Sequence, residues 1–148
     1  MYTLPEGHVL CMRTCDENLK SHGGFQWPES GKVVCPDWDA KPACGNGLHG
    51  LLWGTGESAL LNWSPGAKWL VVEVEEKSIV NLDGKVKFQK CRVVLVGDRK
   101  DVTDLISRHA PNGTAVIGLV QEGGYRSTIT GGDRSTITGG DRSTITGG

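Results

Sequence analysis

The last 24 residues are three copies of one octad. Tyr125 to Gly132, Asp133 to Gly140 and Asp141 to Gly148 agree at seven of eight positions, with Tyr125 standing where the later copies have Asp. Repetition at a short fixed period means one structural unit stacked on itself. In each copy Ser-Thr-Ile-Thr alternates with period two and is β-branched at three of four places, so it reads as a short strand. The Gly-Gly that follows lets the chain turn sharply. A four-residue strand with a four-residue turn needs strand partners above and below. Two octads therefore predict one flattened 16-residue coil with a strand on each face, and the coils stack about 4.8 Å apart as a β-solenoid. In such a coil Ser127, Ile129, Ser135, Ile137, Ser143 and Ile145 face inward. Thr128, Thr130, Thr136, Thr138, Thr144 and Thr146 form outward Thr-x-Thr rows. A flexible Gly/Ser/Thr linker would gain nothing from Ile at every eighth place. The chain stops at the end of an octad, with no atypical capping copy, and so reads as a piece of a longer repeat protein.

The stretch from Gly124 to Gly139 resembles the 16-residue repeat of bacterial ice-nucleation proteins. It shares the Gly-Tyr opening at Gly124-Tyr125, the Ser-Thr-x-Thr strand from Ser127 and the second Ser-x-Ile-Thr strand from Ser135. The resemblance implies a β-solenoid whose Thr-x-Thr rows order water. The chain departs from that repeat in carrying Arg126, Arg134 and Arg142, one in every octad. In that family Arg-bearing coils are associated with multimerisation, which implies self-association through the tail.

Ahead of the octads the chain reads as a small α+β domain over residues 1–122, with 123–148 as the start of the array. His8 to Arg13, Trp69 to Glu75 and Cys91 to Val96 read as strands. Asp83-Gly84 is a hairpin turn between Ser78–Leu82 and Lys85–Phe88, because both residues tolerate positive φ. Asp16 is expected to cap a helical turn through Lys20. Thr55 to Asn62 is expected to be a short helix capped by Thr55, with Ala59, Leu60 and Leu61 facing in. Asp101 is expected to cap a second helix that Pro111-Asn112-Gly113 ends. Thr114 to Val120 is read as a last strand leading into the octads, so that the domain covers the open first coil. Three of the five Trp (Trp27, Trp38, Trp53) lie in the irregular stretch before Gly54, where large aromatics can replace missing strands as core. This pattern, over about residues 8–110, resembles an uncharacterised domain of bacterial and phage proteins that precedes short Gly/Thr/Ala repeats.

Charge and chemistry narrow the function classes. Sixteen Lys and Arg against 17 Asp and Glu give a net charge of −1, which excludes binding of nucleic acid or anionic membrane through bulk charge. No apolar run approaches a membrane span, and Met1 to Arg13 lacks the pattern of a signal peptide, so the expected place is the cytoplasm. Cys11-x₃-Cys15 and Cys35-x₈-Cys44 lack zinc-knuckle spacing, so no metal is expected. The odd count of five Cys reads as reduced thiols. Cys44-Gly-Asn-Gly-Leu-His49 puts a thiol near an imidazole, but without a third orienting group it reads as a glycine-rich turn in which His49 bonds locally. A sharper enzymatic alternative is a similarity to ADP-ribosyltransferases in the order Arg13, Gly45 to Leu51, then Glu73 and Glu75. It would make Arg13 an NAD-holding residue and a strand Glu the transition-state stabiliser, although no Ser-Thr-Ser motif is present. The expectation adopted is a structural protein without catalytic residues or cofactor. Its N-terminal domain caps or nucleates a Thr-rich β-solenoid that self-associates and orders water or binds ice.

Overall fold

A computed structural model describes residues 2–21 and 23–122, and in the octads the strands 128–130, 136–138 and 144–146. From residue 121 onward it describes the backbone alone. Seven strands form one antiparallel sheet: β1 (His8–Cys15), β2 (Gly31–Val34), β3 (Leu48–Leu52), β4 (Lys68–Glu75), β5 (Val80–Asn81), β6 (Val86–Phe88) and β7 (Lys90–Gly97). Their order is β2-β7-β4-β1-β3-β6-β5. One helix, α1 (Arg99–His109), follows the sheet. The domain is therefore α+β, as its sequence implies.

The connection between β6 and β7 dictates the shape of the sheet. Only Gln89 separates them, so Phe88 and Lys90 are at most about 7.6 Å apart. In the strand order, however, β6 and β7 stand four spacings apart, roughly 19 Å in a flat sheet. The sheet must curl until its two sides meet. The inside of the curl holds Cys11, Cys15, Leu70, Val72, Val74, Phe88 and Val93, closed by Trp27 and Cys35 from the loops. The other face holds Leu10, Met12 and Val71 against Val102 and Ile106 of α1 and against Val116, Ile117 and Leu119. Alternation along β1 and β4 feeds both cores.

Three expected elements take a different form. The 55–62 segment is a single 3₁₀ turn, Ser58–Leu60, with no side-chain cap. Ala59 and Leu60 are exposed and only Leu61 is buried, while Thr55 Oγ1 donates to the Leu52 carbonyl. Asp16 Oδ1 accepts from the amides of Asn18 and Lys20, which makes a side-chain-closed turn and not a helical one. The 114–120 segment is irregular until β8 (Val120–Glu122). There Gly118 takes φ 71° under the Trp63 ring, which a continuous strand could not do. The cap of α1 is Asp98, whose Oδ1 accepts from the Asp101 amide, so the helix starts earlier than expected. The Asp83-Gly84 turn is as expected, with φ 55° and 94°, and it closes β5 onto β6.

Candidate functional site

Two places can carry function: the join between domain and octads, and a cleft at the C-terminal end of β1.

At the join β8 follows directly on the packed end of the domain. Val116, Ile117 and Leu119 are buried against α1 and Met12, which fixes the backbone just before β8. Thr103 of α1 is fully buried. Its hydroxyl donates to the Arg99 carbonyl and accepts the Val120 amide at 3.1 Å. A buried hydroxyl placed this way satisfies an amide that would otherwise be orphaned as the chain leaves the core. From there β8 pairs in parallel with β10 (Thr136–Thr138), Val120 opposite Thr136 and Glu122 opposite Thr138. β9 (Thr128–Thr130) pairs in parallel with β11 (Thr144–Thr146), Thr128 opposite Thr144. Both pairs are offset by 16 residues, or two octads. Thr128, Ile129, Thr130, Thr136, Ile137, Thr138, Thr144, Ile145 and Thr146 thus all lie on described strands. Ser127, Ser135 and Ser143 lie outside the described residues. The inward and outward assignment of these side chains likewise lies beyond what is described.

The cleft has a volume of about 920 Å³. A small hairpin closed by Lys20 and Gln26 hangs Phe25 and Trp27 over the interior of the curl. Arg13 stacks on Trp27, its guanidinium carbon 4.2 Å from the ring centre. Its Nη1 donates to the His49 carbonyl at 2.9 Å and its Nη2 to the Thr14 carbonyl at 3.2 Å. Burial holds the guanidinium below its ordinary pKa. Among the described residues, Arg13 Nε and Trp27 Nε1 have no hydrogen-bond partner, and Trp27 is only 1% exposed. A buried donor left unpaired costs about 1–3 kcal/mol, so this stack carries a local penalty.

The Gly-rich segment forms the opposite wall and includes β3, a strand that its sequence does not announce. His49 Nε2 accepts the Gly45 amide, in keeping with the local bonding expected of it. Burial, then Lys85, Arg13 and Lys87, lower its pKa to about 4, so the ring is neutral at pH 7. Lys87 is buried in β6 and donates to the carbonyls of Asp39 and Gly45 beside the Trp38 ring. On the rim Lys85 Nζ lies 2.9 Å from Cys44 Sγ and draws that exposed thiol's pKa down. The other four thiols are buried, and burial raises the pKa of each. Among the described residues no group of three or more His, Cys, Asp or Glu is placed to hold a metal ion.

The transferase arrangement is not assembled. In the β1–β4 register Arg13 stands opposite Leu70, and Glu73 opposite Leu10. Leu70 belongs to the inside of the curl and Leu10 to the helix side. Glu73 and Glu75 therefore share a face with each other, but it is the face opposite Arg13. Glu73 is bound by the Tyr2 hydroxyl at 2.5 Å.

The chain matches the family described as a domain of unknown function, DUF7666, over residues 9–108. It is also similar to curated ice nucleation proteins. It is 44% identical to one from Pseudomonas syringae over 101 residues, 67% of this chain and 9% of that protein. It is 38% identical to one from Xanthomonas campestris pv. translucens over 105 residues, 70% of this chain and 7% of that protein. It is 36% identical to ice nucleation protein InaU of Pantoea ananas over 108 residues, 72% of this chain and 10% of that protein. The chain thus spans no more than a tenth of the length of these relatives. Matches this long cannot fit within the 24-residue octad tail, so most of each lies in the domain ahead of it. No solved structure matches the chain.

Proposed function

The chain belongs to the DUF7666 family, and we propose that its domain caps a Thr-rich β-solenoid whose outer Thr-x-Thr rows order water or bind ice. The observation that carries this reading is the 16-residue offset of both parallel pairs, β8 with β10 and β9 with β11. An offset of two octads is what a flattened coil with one strand per face requires. β8 belongs to the domain and the strand it pairs with belongs to the array, so the domain contributes the first rung. Repeat arrays need such a terminal unit, because an open first coil exposes unpaired N–H and C=O groups and an apolar edge. The names of the relatives support an ice-related structural role.

The octad strands carry neither Pro nor Lys to discourage pairing. We extend the proposal to a tail-to-tail association of two copies through residues 125–148, which pairs the exposed strand and covers the Ile row. Two measurements test the reading. Sedimentation of the chain with and without residues 125–148 separates an associating protein from a monomeric domain; the same mass in both overturns the association. Droplet freezing then compares the domain bearing a long run of the same octad with its Thr-to-Ala counterpart. Freezing at a higher temperature only when the Thr rows are intact supports the water-ordering face, and equal freezing temperatures overturn it.

A further inference from the structure

Cys44 is the one exposed thiol of the five, and it has a fixed neighbour. Lys85 Nζ stands 2.9 Å from its Sγ, across 41 positions of sequence. Two separate features hold the pair in place. Gly45, the next residue, is tied at both of its backbone groups: its amide donates to His49 Nε2 and its carbonyl accepts from Lys87 Nζ. Lys85 is tied by the hairpin, where its carbonyl accepts the Leu82 amide, and β6 starts at the residue after it. Alternation along the chain puts Lys85 and Lys87 on one face. One lysine therefore pins the glycine-rich segment while the other reaches its thiol. Among the described residues no carboxylate pairs with Lys85. Its ammonium is left to the sulfur and favours the thiolate. The other four thiols are buried, where an oxidant in solution does not reach them.

We propose that Cys44 and Lys85 are a modification site at which a hydroperoxide closes a reversible sulfur–nitrogen cross-link. The Cys44 thiolate attacks the O–O bond of the peroxide. A sulfur–oxygen bond forms, and the leaving oxygen takes a proton from the Lys85 ammonium and, with hydrogen peroxide, departs as water. The sulfur, oxidised by two electrons, is now a sulfenic acid, and the lysine beside it is a neutral amine. That amine attacks the sulfur. A sulfur–nitrogen bond forms, and the sulfenic hydroxyl leaves as water with one of the two amine protons. Sulfenic acids condense with a neighbouring nitrogen in this way. A dithiol reverses the step: thiol and amine return, and the dithiol becomes a disulfide. Lys85 thus serves first as proton donor and then as nucleophile, which is why its closeness to the sulfur matters twice. The product staples the glycine-rich wall of the cleft to the Asp83-Gly84 hairpin.

The test treats the full, folded chain with a small excess of hydrogen peroxide, and dimedone traps any sulfenic acid that persists. The expected result is an intact mass lower by two hydrogen atoms, restored by dithiothreitol. Trypsin should no longer cut after Lys85 in the oxidised chain, and the peptide ending at Lys85 should be found joined to the peptide carrying Cys44. Cys44→Ser should show neither change. Lys85→Arg keeps a cation beside the thiol, but a guanidinium does not give up its proton and is no nucleophile. In that variant the sulfenic acid should persist, and dimedone should label Cys44 severalfold more than in wild type. Undiminished tryptic cleavage after Lys85 in oxidised wild type overturns the proposal. So does equal dimedone labelling of wild type and Lys85→Arg, or a product that is instead a disulfide between the Cys44 thiols of two chains.

Discussion

The domain and the octads obtain strand pairing by opposite means. In the domain every named pair within the curled sheet is antiparallel, and each partner differs in sequence, as when Trp69 faces Thr14 on one side and Gly97 on the other. Register there is set by two distinct cores, one on each face, because a slip of one residue would exchange them. In the octads the pairs are parallel and join like to like: Thr128 to Thr144, Ile129 to Ile145, Thr130 to Thr146. Register is set by periodicity, and any multiple of 16 residues would serve as well. An array that pairs equally well at many offsets has no intrinsic starting point, and in the proposed capping role that start is β8. Its Val-Gln-Glu sequence differs from the octad, and its first amide is tied to Thr103.

The largest effect separates the two regions by truncation. Ile106 is fully buried between α1 and the sheet. Ile106→Ala should lower the domain's stability by about 2–5 kcal/mol in urea or guanidinium unfolding. Ile137→Ala, the same change in the array, should leave the domain's unfolding midpoint where it was. A comparable loss from Ile137→Ala would mean that the two regions fold as one unit and the distinction fails. The next effect is at the join. Thr103→Val keeps the side chain's volume but strands the Val120 amide, so the domain should lose about 1–3 kcal/mol. Amide exchange at Val120 should rise more than elsewhere in the sheet.

Two smaller effects sharpen the chemistry of the domain. Cys44 is exposed beside Lys85, whereas the other four thiols are buried. Iodoacetamide should therefore modify Cys44 first and leave the others until the domain unfolds. Lys85→Gln should slow that reaction, because it removes the charge that favours the thiolate. His49 has a folded pKa of about 4 against an ordinary 6.5. Between those values the unfolded chain binds the proton more readily. Stability is thus full above about pH 6.5, falls as the pH drops through the window and levels near pH 4. His49→Gln should flatten this slope, and an unchanged slope would assign it to other groups.

Much of this architecture is legible in the sequence. The central strands β1, β4 and β7 show period-two patterning, and Asp83-Gly84 names its own turn. β3 was hidden because Gly50 sits where a Cβ would press on Cys11 and the Met12 carbonyl. Glycine required for close approach looks in sequence like glycine in a loop. The 55–62 segment carried helix-like residues but is pinned by its surroundings, with the Glu57 amide held by the Gly84 carbonyl. Asp98 and Asp101 both offer a capping side chain to α1, and pattern alone does not choose between them. The stack of Arg13 on Trp27 joins residues 14 positions apart through a loop fold, for which no local signal exists. Glu73 and Glu75 share a face, as alternation along one strand dictates. Which face Arg13 takes depends on the pairing of β1 with β4, which neither strand reveals alone.

The 16-residue offset is the central claim, and paired cysteines test it most directly. In a Cys44→Ser background, Thr128→Cys with Thr144→Cys places two thiols on in-register neighbours. The parallel-strand spacing there, about 4.8 Å between Cα atoms, suits a disulfide. Thr128→Cys with Thr136→Cys places them one octad apart, on opposite faces of the proposed coil. A flexible chain closes the shorter loop more readily. The account predicts the reverse order under mild oxidation, with the 128–144 pair closing within the monomer and the 128–136 pair remaining open. Faster closure of the 128–136 pair, or equal rates for both, would contradict it.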